Sequence, residues 1–207
     1  MTRQRSDEQR KRQIRAAATR CFVRKGYAST RLLDIAREAG LSKGGVYFHY
    51  RAKEQLFHDI IDTHLQTLHE RWGFEPAADR PAGDTLARLV TAHLRTLEDE
   101  PDETRLFSLL VTMAVQDAAF RNKLEELFSI MRSLYASVIE RGIADGSFSC
   151  ADADSAALTI MATVNGFAAY GAVHPEGKLP AGSEKVVDMV LAQIGAKAQA
   201  ASTGTGG

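Results

Sequence analysis

The chain has 207 residues, 44% hydrophobic and 25% charged, with 26 basic and 26 acidic side chains, so it can bury a core without staples. Its two cysteines, Cys21 and Cys150, lie far apart in no paired motif, which argues against a disulfide framework or a zinc site and suits a reducing cytoplasm. The neutral total hides an asymmetry: residues 1–53 hold 14 Lys/Arg against 4 Asp/Glu, a surplus of +10, and the remainder carries −10, so a polyanion partner is expected for the head alone.

The start, MTRQRSDEQRKRQ, has no apolar run and predicts no signal peptide. Ile14, Ala17, Ala18, Cys21 and Phe22 recur at helical spacing and predict a helix over 7–25, stopped by Gly26. A second helix, about 31–39, puts Leu32, Ile35, Ala36 and Ala39 on one face before Gly40. A third covers 43–49, and a fourth runs from Ala52 through Leu56, Ile60, Leu65 and Leu68 to Trp72. The stretch 73–84, GFEPAADRPAGD, reads as a linker. Helices near 84–99, 103–115, 117–144, 151–173 and 182–198 follow. The fold is therefore expected to be all-α, about nine helices, with no alternating strand pattern. The uncharged run Ser155–Pro175 has membrane-spanning length, but Asn165, His174 and many Ala, Thr and Gly make it a buried helix. QAASTGTGG, 199–207, reads as a flexible tail.

Function concentrates in LSKGGVYFHY, residues 41–50. Two short helices joined by AGLSK have helix-turn-helix spacing, and the second can enter a DNA major groove. Gly44 and Gly45 remove side-chain bulk where backbone approaches base edges. Val46 is expected to pack against Ile35 and Ala36, with Phe48 and Tyr50 as core rings. Lys43 has the reach for guanine O6/N7, Tyr47 can meet a thymine methyl or a phosphate, and His49 can donate to a phosphate.

GYASTRLLDIAREAGLSKGGVYFHYRAKEQLF, residues 26–57, resembles the DNA-binding signature of the tetracycline-repressor (TetR) family through D-I-A-x-x-A-G, S-K-G, V-Y-x-H-Y and the K-E pair. KGGVYFHY also resembles the reading helix of its γ-butyrolactone-receptor subgroup. The resemblance implies a three-helix DNA-binding domain over 7–52, with its reading motif at about 31–50. A ligand-binding and dimerisation domain over 53–198 would follow. It places Lys43, Gly44, Gly45 and Tyr47 at base-reading positions, His49 at a phosphate-contacting one, and Lys53 as a backbone clamp. A helix N-terminus favours an anion at that last place. The family usually has Thr at position 31 and a polar or basic residue at 33; here stand Arg31 and Leu33. Arg31 can supply a charge-assisted phosphate bond, and Thr30 the helix cap. With Ser42, these complete the expected DNA-binding set.

The body, 73–207, shows no catalytic constellation, metal-ligand spacing or cofactor motif. GKLPAGSEK lacks the Gly-Lys pair of a P-loop. The resemblance makes Phe107, Leu110, Met113, Phe128, Met131, Tyr135, Met161, Asn165 and Tyr170 candidates for lining a cavity for a small apolar or amphipathic ligand. Ala156, Ala157, Ala162, Thr163, Gly166 and Ala169 are small enough for close helix pairing. Val187, Val190, Leu191 and Ile194 form an apolar stripe, so two copies could build a four-helix bundle. The expected function is a cytoplasmic, homodimeric, sequence-specific DNA-binding transcription regulator: a repressor released from a palindromic operator by a small ligand. The alternatives are an activator or a ligand-independent DNA-binding dimer, and, more remotely, an all-helical enzyme.

Overall fold

Seven-residue helices are too short to persist alone, because nucleation outweighs the few hydrogen bonds they close. The α2–α3 pair therefore depends on what it packs against. A computed structural model of the chain describes residues 2–71, 80–99, 101–173 and 182–196, and these carry nine helices and no strand. They are α1 (Thr2–Lys25), α2 (Leu32–Glu38), α3 (Lys43–His49), α4 (Lys53–Arg71), α5 (Ala82–Asp99), α6 (Pro101–Ala114), α7 (Ala118–Ala144), α8 (Ala153–Val173) and α9 (Ser183–Gln193). The all-helical expectation holds. Most of the expected linker and the whole tail lie outside the described residues. The last linker residues, from Ala82, are instead the first turn of α5, where Ala82 is buried.

The helices sort into two compact units, one of residues 1–73 and 96–128, the other of 74–95 and 129–207. In the first, α1 supplies Ile14, Ala17, Ala18, Cys21 and Phe22 to a core that also takes Leu32, Ile35 and Ala36 from α2 and Val46 from α3. Leu56, Phe57, Ile60 and Ile61 of α4, Leu106 and Leu110 of α6, and Phe120 of α7 complete it. Each large apolar side chain buried there contributes about 1.5–3 kcal/mol, and that packing holds α2 and α3 helical. In the second unit, Leu86, Val90 and Leu94 of α5, Val138 and Ile139 of α7, Ile160 and Val164 of α8, and Val186, Val190 and Ile194 beside α9 are all buried.

Two expectations need correction here. The last helix ends at Gln193 rather than 198, because Gly195 takes a left-handed φ of 62° and Ala196 N–H bonds back to Leu191 O at 3.0 Å. The α9 stripe proposed for pairing with a second copy is occupied within the chain: Val187, Val190 and Ile194 are 8%, 0% and 2% exposed. The face left open belongs to α8, where Leu158, Ala162, Gly166, Ala169, Tyr170 and Val173 are exposed at helical spacing.

Candidate nucleic-acid interface

The turn between α2 and α3 is built by one glycine. Gly40 adopts φ 65°, and Leu41 N–H then bonds to Ala36 O at 2.9 Å, ending α2. Ser42 starts α3, its hydroxyl accepting from Gly45 N–H at 3.1 Å. Val46 and Tyr50, four residues apart on one face, are 0% and 3% exposed, so α3 turns that face to the core. The opposite face carries Tyr47 at 42% and Phe48 at 82% exposure. Phe48, expected in the core with Tyr50, is thus on the surface: two residues from Val46, it lies about 200° round the helix axis. Beside it the Lys43 ammonium lies 5.3 Å from the Tyr47 ring centroid. A Cβ on Gly44 or Gly45 would come no closer to the rest of the chain than 3.4 Å, at Ser42 Oγ. Neither glycine is required by packing or by φ.

A polar network ties this helix to its neighbours. The Tyr50 hydroxyl donates to Asp59 on α4, which also accepts from Arg15 at 3.1 Å, and Arg15 reaches Glu8 at 2.8 Å. Burial, reinforced by Asp59, holds the Tyr50 hydroxyl above its ordinary pKa, so it stays a donor. Burial opposes the charge on Arg15, but Glu8 and Asp59 outweigh it. Through Asp59 and Arg15, the tip of Tyr50, the residue that caps α3, is fixed to α4 and α1 at once.

Lys53 is committed within the chain. Its ammonium donates to Tyr27 O, Ala28 O and Thr30 O at 2.9, 3.1 and 3.3 Å and sits 4.4 Å from the Tyr27 ring. An ammonium has three donors, and all three are taken, which departs from the expected backbone clamp. Lys53→Ala should therefore lower stability by about 1.5–3 kcal/mol, the worth of bonds to a charged donor, in a denaturant melt. The slope of log affinity against log salt should stay unchanged. A slope reduced by about one would mean that the ammonium leaves the carbonyls for a phosphate.

Thr30 and His49 also turn inward. Thr30 is 1% exposed, its hydroxyl donating to Gly26 O at 2.8 Å, so it neither faces DNA nor caps α2. The capping position is Arg31, whose N–H bonds to the Asp34 carboxylate at 3.0 Å. His49 Nδ1 lies 3.3 Å from Asp7, with 9% of its side chain exposed. Ser42, Lys43 and Gly44 are exposed and Gly45 half-buried.

Much of the basic surplus is neutralised internally. Arg20 and Arg24 share Glu38 at 2.8 and 3.0 Å, Lys25 pairs with Asp34 at 3.3 Å, and Arg15 with Glu8 and Asp59. Among described residues from α2 to the start of α4, Arg31, Arg37, Lys43 and Arg51 are exposed with no carboxylate in ion-pair range. Arg51 and Phe48 were not in the expected set. The exposed cation right after the reading helix was a usable signal for Arg51; for Phe48 it was the i+2 offset from Val46.

Residues 14–60 match the model of the bacterial regulatory proteins of the tetR family, and residues 82–196, more than half the chain, match that of the BetI-type transcriptional repressor C-terminal domain. The chain belongs to the TetR family. It is a helix-turn-helix DNA-binding transcription regulator. It is 28% identical to the HTH-type transcriptional repressor KstR2 of Rhodococcus jostii over 67% of this chain and 68% of that one. A tetR-family regulatory protein from Rhodococcus RHA1 has the same fold, with a TM-score of 0.77 and 24% identity over 91% of this chain and 98% of that one. AibR, solved with isovaleryl coenzyme A and operator DNA, superposes with a TM-score of 0.72 and 18% identity over 91% and 100%. No helix among the described residues is long and apolar enough to cross a membrane.

The TetR-like ligand candidates divide between the units. Phe107, Leu110, Met113 and Phe128 lie in the first, with the Phe107 and Phe128 rings 6.2 Å apart. Met131, Tyr135, Met161, Asn165 and Tyr170 lie in the second. Leu110, Met131, Tyr135 and Met161 are buried, whereas Tyr170 is 65% exposed and so stands on the open face of α8. The half-buried Asn165 amide donates to Met161 O of its own helix at 2.9 Å. His93 was missed. It is 6% exposed, its Nδ1 3.1 Å from the Tyr135 hydroxyl, and burial depresses its pKa to about 4, leaving the ring neutral. A histidine on an amphipathic helix gives no sequence signal of burial; only the partner 42 residues away does.

Proposed function

We propose that the chain is a homodimeric repressor that binds a palindromic operator in the cytoplasm and leaves it when a small apolar or amphipathic ligand binds the second unit. The observation that carries the DNA-reading part is the two-faced third helix. Val46 and Tyr50 lock it to the core, and Lys43, Gly44, Tyr47 and Phe48 are left outward. Lys43 would read a guanine edge, the two rings thymine methyls or phosphates, and Arg31 and Arg51 the phosphate backbone. The named repressor relative supports repression. The family's BetI-type C-terminal match and the ligand-bound AibR support a ligand site in the body, for which Met131, Tyr135 and Met161, together with His93, offer an apolar lining and one polar pair. Release follows if the ligand's affinity differs between free and operator-bound protein, by about 1–3 kcal/mol in systems of this kind.

The test uses an operator selected by the protein from a random duplex pool and read by fluorescence anisotropy. Lys43→Ala should relax the preference at one base pair per half-site by about 1–3 kcal/mol and leave the other positions unchanged. Uniform weakening across all operator variants would make Lys43 a phosphate contact.

A further inference from the structure

Within the first unit, the α1–α2 turn, the first turn of α4 and the α6–α7 junction border an open cavity of about 550 Å³, a size suited to small organic molecules. Its lining is unlike that of the surrounding head. Tyr27, Met113 and Phe120 give it an apolar, aromatic wall, Glu54 and Asp117 give it two carboxylates, and among the described residues no lysine or arginine lines it. In a region whose surface is basic, this recess is acidic.

Three details define what would fill it. The Tyr27 hydroxyl oxygen is buried on a half-buried ring, forms no well-aligned hydrogen bond, and lies against the Glu54 carboxylate. Burial, then the Glu54 and Asp117 carboxylates, keep that hydroxyl protonated. Glu54 is exposed and forms no ion pair, and the nearby Lys53 ammonium is engaged by three carbonyls. Asp117 uses one oxygen to cap α7, accepting from Ala119 N–H at 2.7 Å, and its second oxygen remains. Phe120 is 3% exposed and meets Tyr27 edge-on at 5.9 Å. Two carboxylates with an aromatic wall are a poor metal site, and no cluster of three metal-binding side chains occurs among the described residues.

We propose that this cavity binds a primary organic ammonium with an aromatic-sized apolar body. The ammonium N–H groups donate to Glu54, Asp117 and the Tyr27 oxygen, and the body lies against Phe120 and Met113. The site is made wholly of first-unit residues, so it is distinct from the ligand site proposed for the second unit. Its occupant would link the start of α4 to the α6–α7 junction. On the α4 side it would touch the tyrosine that Lys53 holds, giving the head its own effector input.

Calorimetric titration of the full chain with phenethylamine hydrochloride, against 2-phenylethanol as the neutral isostere, tests this directly. One saturable site for the amine is expected, with the alcohol at least about tenfold weaker, since each lost charged contact is of that order. The Glu54→Gln/Asp117→Asn double variant should lose about tenfold or more for the amine with helix content unchanged, because Asn caps a helix as well as Asp does. Tyr27→Phe should weaken the amine several-fold and leave the alcohol alone. The proposal is overturned if the amine shows no saturable binding, if the alcohol binds equally well, or if the double variant binds the amine like the parent.

Discussion

Gly45→Leu should melt at or above the temperature of the parent and yet lose operator affinity by about 100-fold or more, since each half-site forfeits base contacts worth about 1–3 kcal/mol. The first half of the expectation rests on the free protein. Glycine within a helix costs about 0.5–1 kcal/mol relative to alanine. A Cβ at position 45 meets Ser42 Oγ at 3.4 Å and Leu41 Cβ at 3.9 Å, ordinary contacts that require nothing to move. A short helix that retains two consecutive glycines without an internal need for either gives up stability for the sake of what approaches it. The second half rests on the groove, where a leucine would occupy the space of a base edge. Thermal melting and operator titration on the same variant decide the matter. An earlier melt would show that the glycine serves packing, and normal binding would show that this turn of α3 stays clear of DNA.

Gly166→Arg should convert the proposed homodimer to a folded monomer. Among the described residues, nothing beyond its own helix backbone and chain neighbours lies within 4 Å of a Cβ built at Gly166, so the substitution is tolerated locally and gains helix propensity. On the open face of α8, between Ala162 and Ala169 and flanked by Leu158 and Tyr170, it would set a guanidinium against its own copy across a two-fold axis. Sedimentation should report half the parent mass with circular dichroism unchanged. Operator affinity should fall by about two to four orders of magnitude, the advantage that joining two half-site readers confers. A variant that still sediments as a dimer would place the interface elsewhere.

Which parts of this were legible beforehand follows from how local their causes are. The nine helices were, because periodicity and stop glycines act within a few residues: Gly40 and Gly195 end α2 and α9 by their own φ, although the pattern was first carried past Gly195. The reading helix was legible as a motif, but its faces were not. Hydrophobicity alone points Phe48 inward, whereas its position two residues from the buried Val46 turns it outward. Lys53, Thr30 and His49 have side chains that suit DNA, and their actual partners, the carbonyls of Tyr27, Ala28 and Thr30, Gly26 O and Asp7, are set by tertiary approach. The α9 stripe has the same explanation. An apolar face announces burial without naming its partner, and Val187, Val190 and Ile194 found theirs in the same chain. His93 and Tyr135 are polar groups whose pairing across 42 residues leaves no trace in either helix alone.

The pairing of Arg15, Arg20, Arg24 and Lys25 with carboxylates of the same chain bears on how such a protein finds one site in a genome. Grip on arbitrary duplex comes from cations that displace counterions from phosphates. A guanidinium already satisfied by Glu38 or Asp59 adds little to that grip. The head is basic by composition and sparing in contact, so it would leave a wrong segment soon after meeting it. Dwell time then depends chiefly on the base edges under α3, and random sequence acts as a weak sink for the protein. Few copies per cell would keep an operator occupied, and a modest loss of affinity on ligand binding would be enough to empty it.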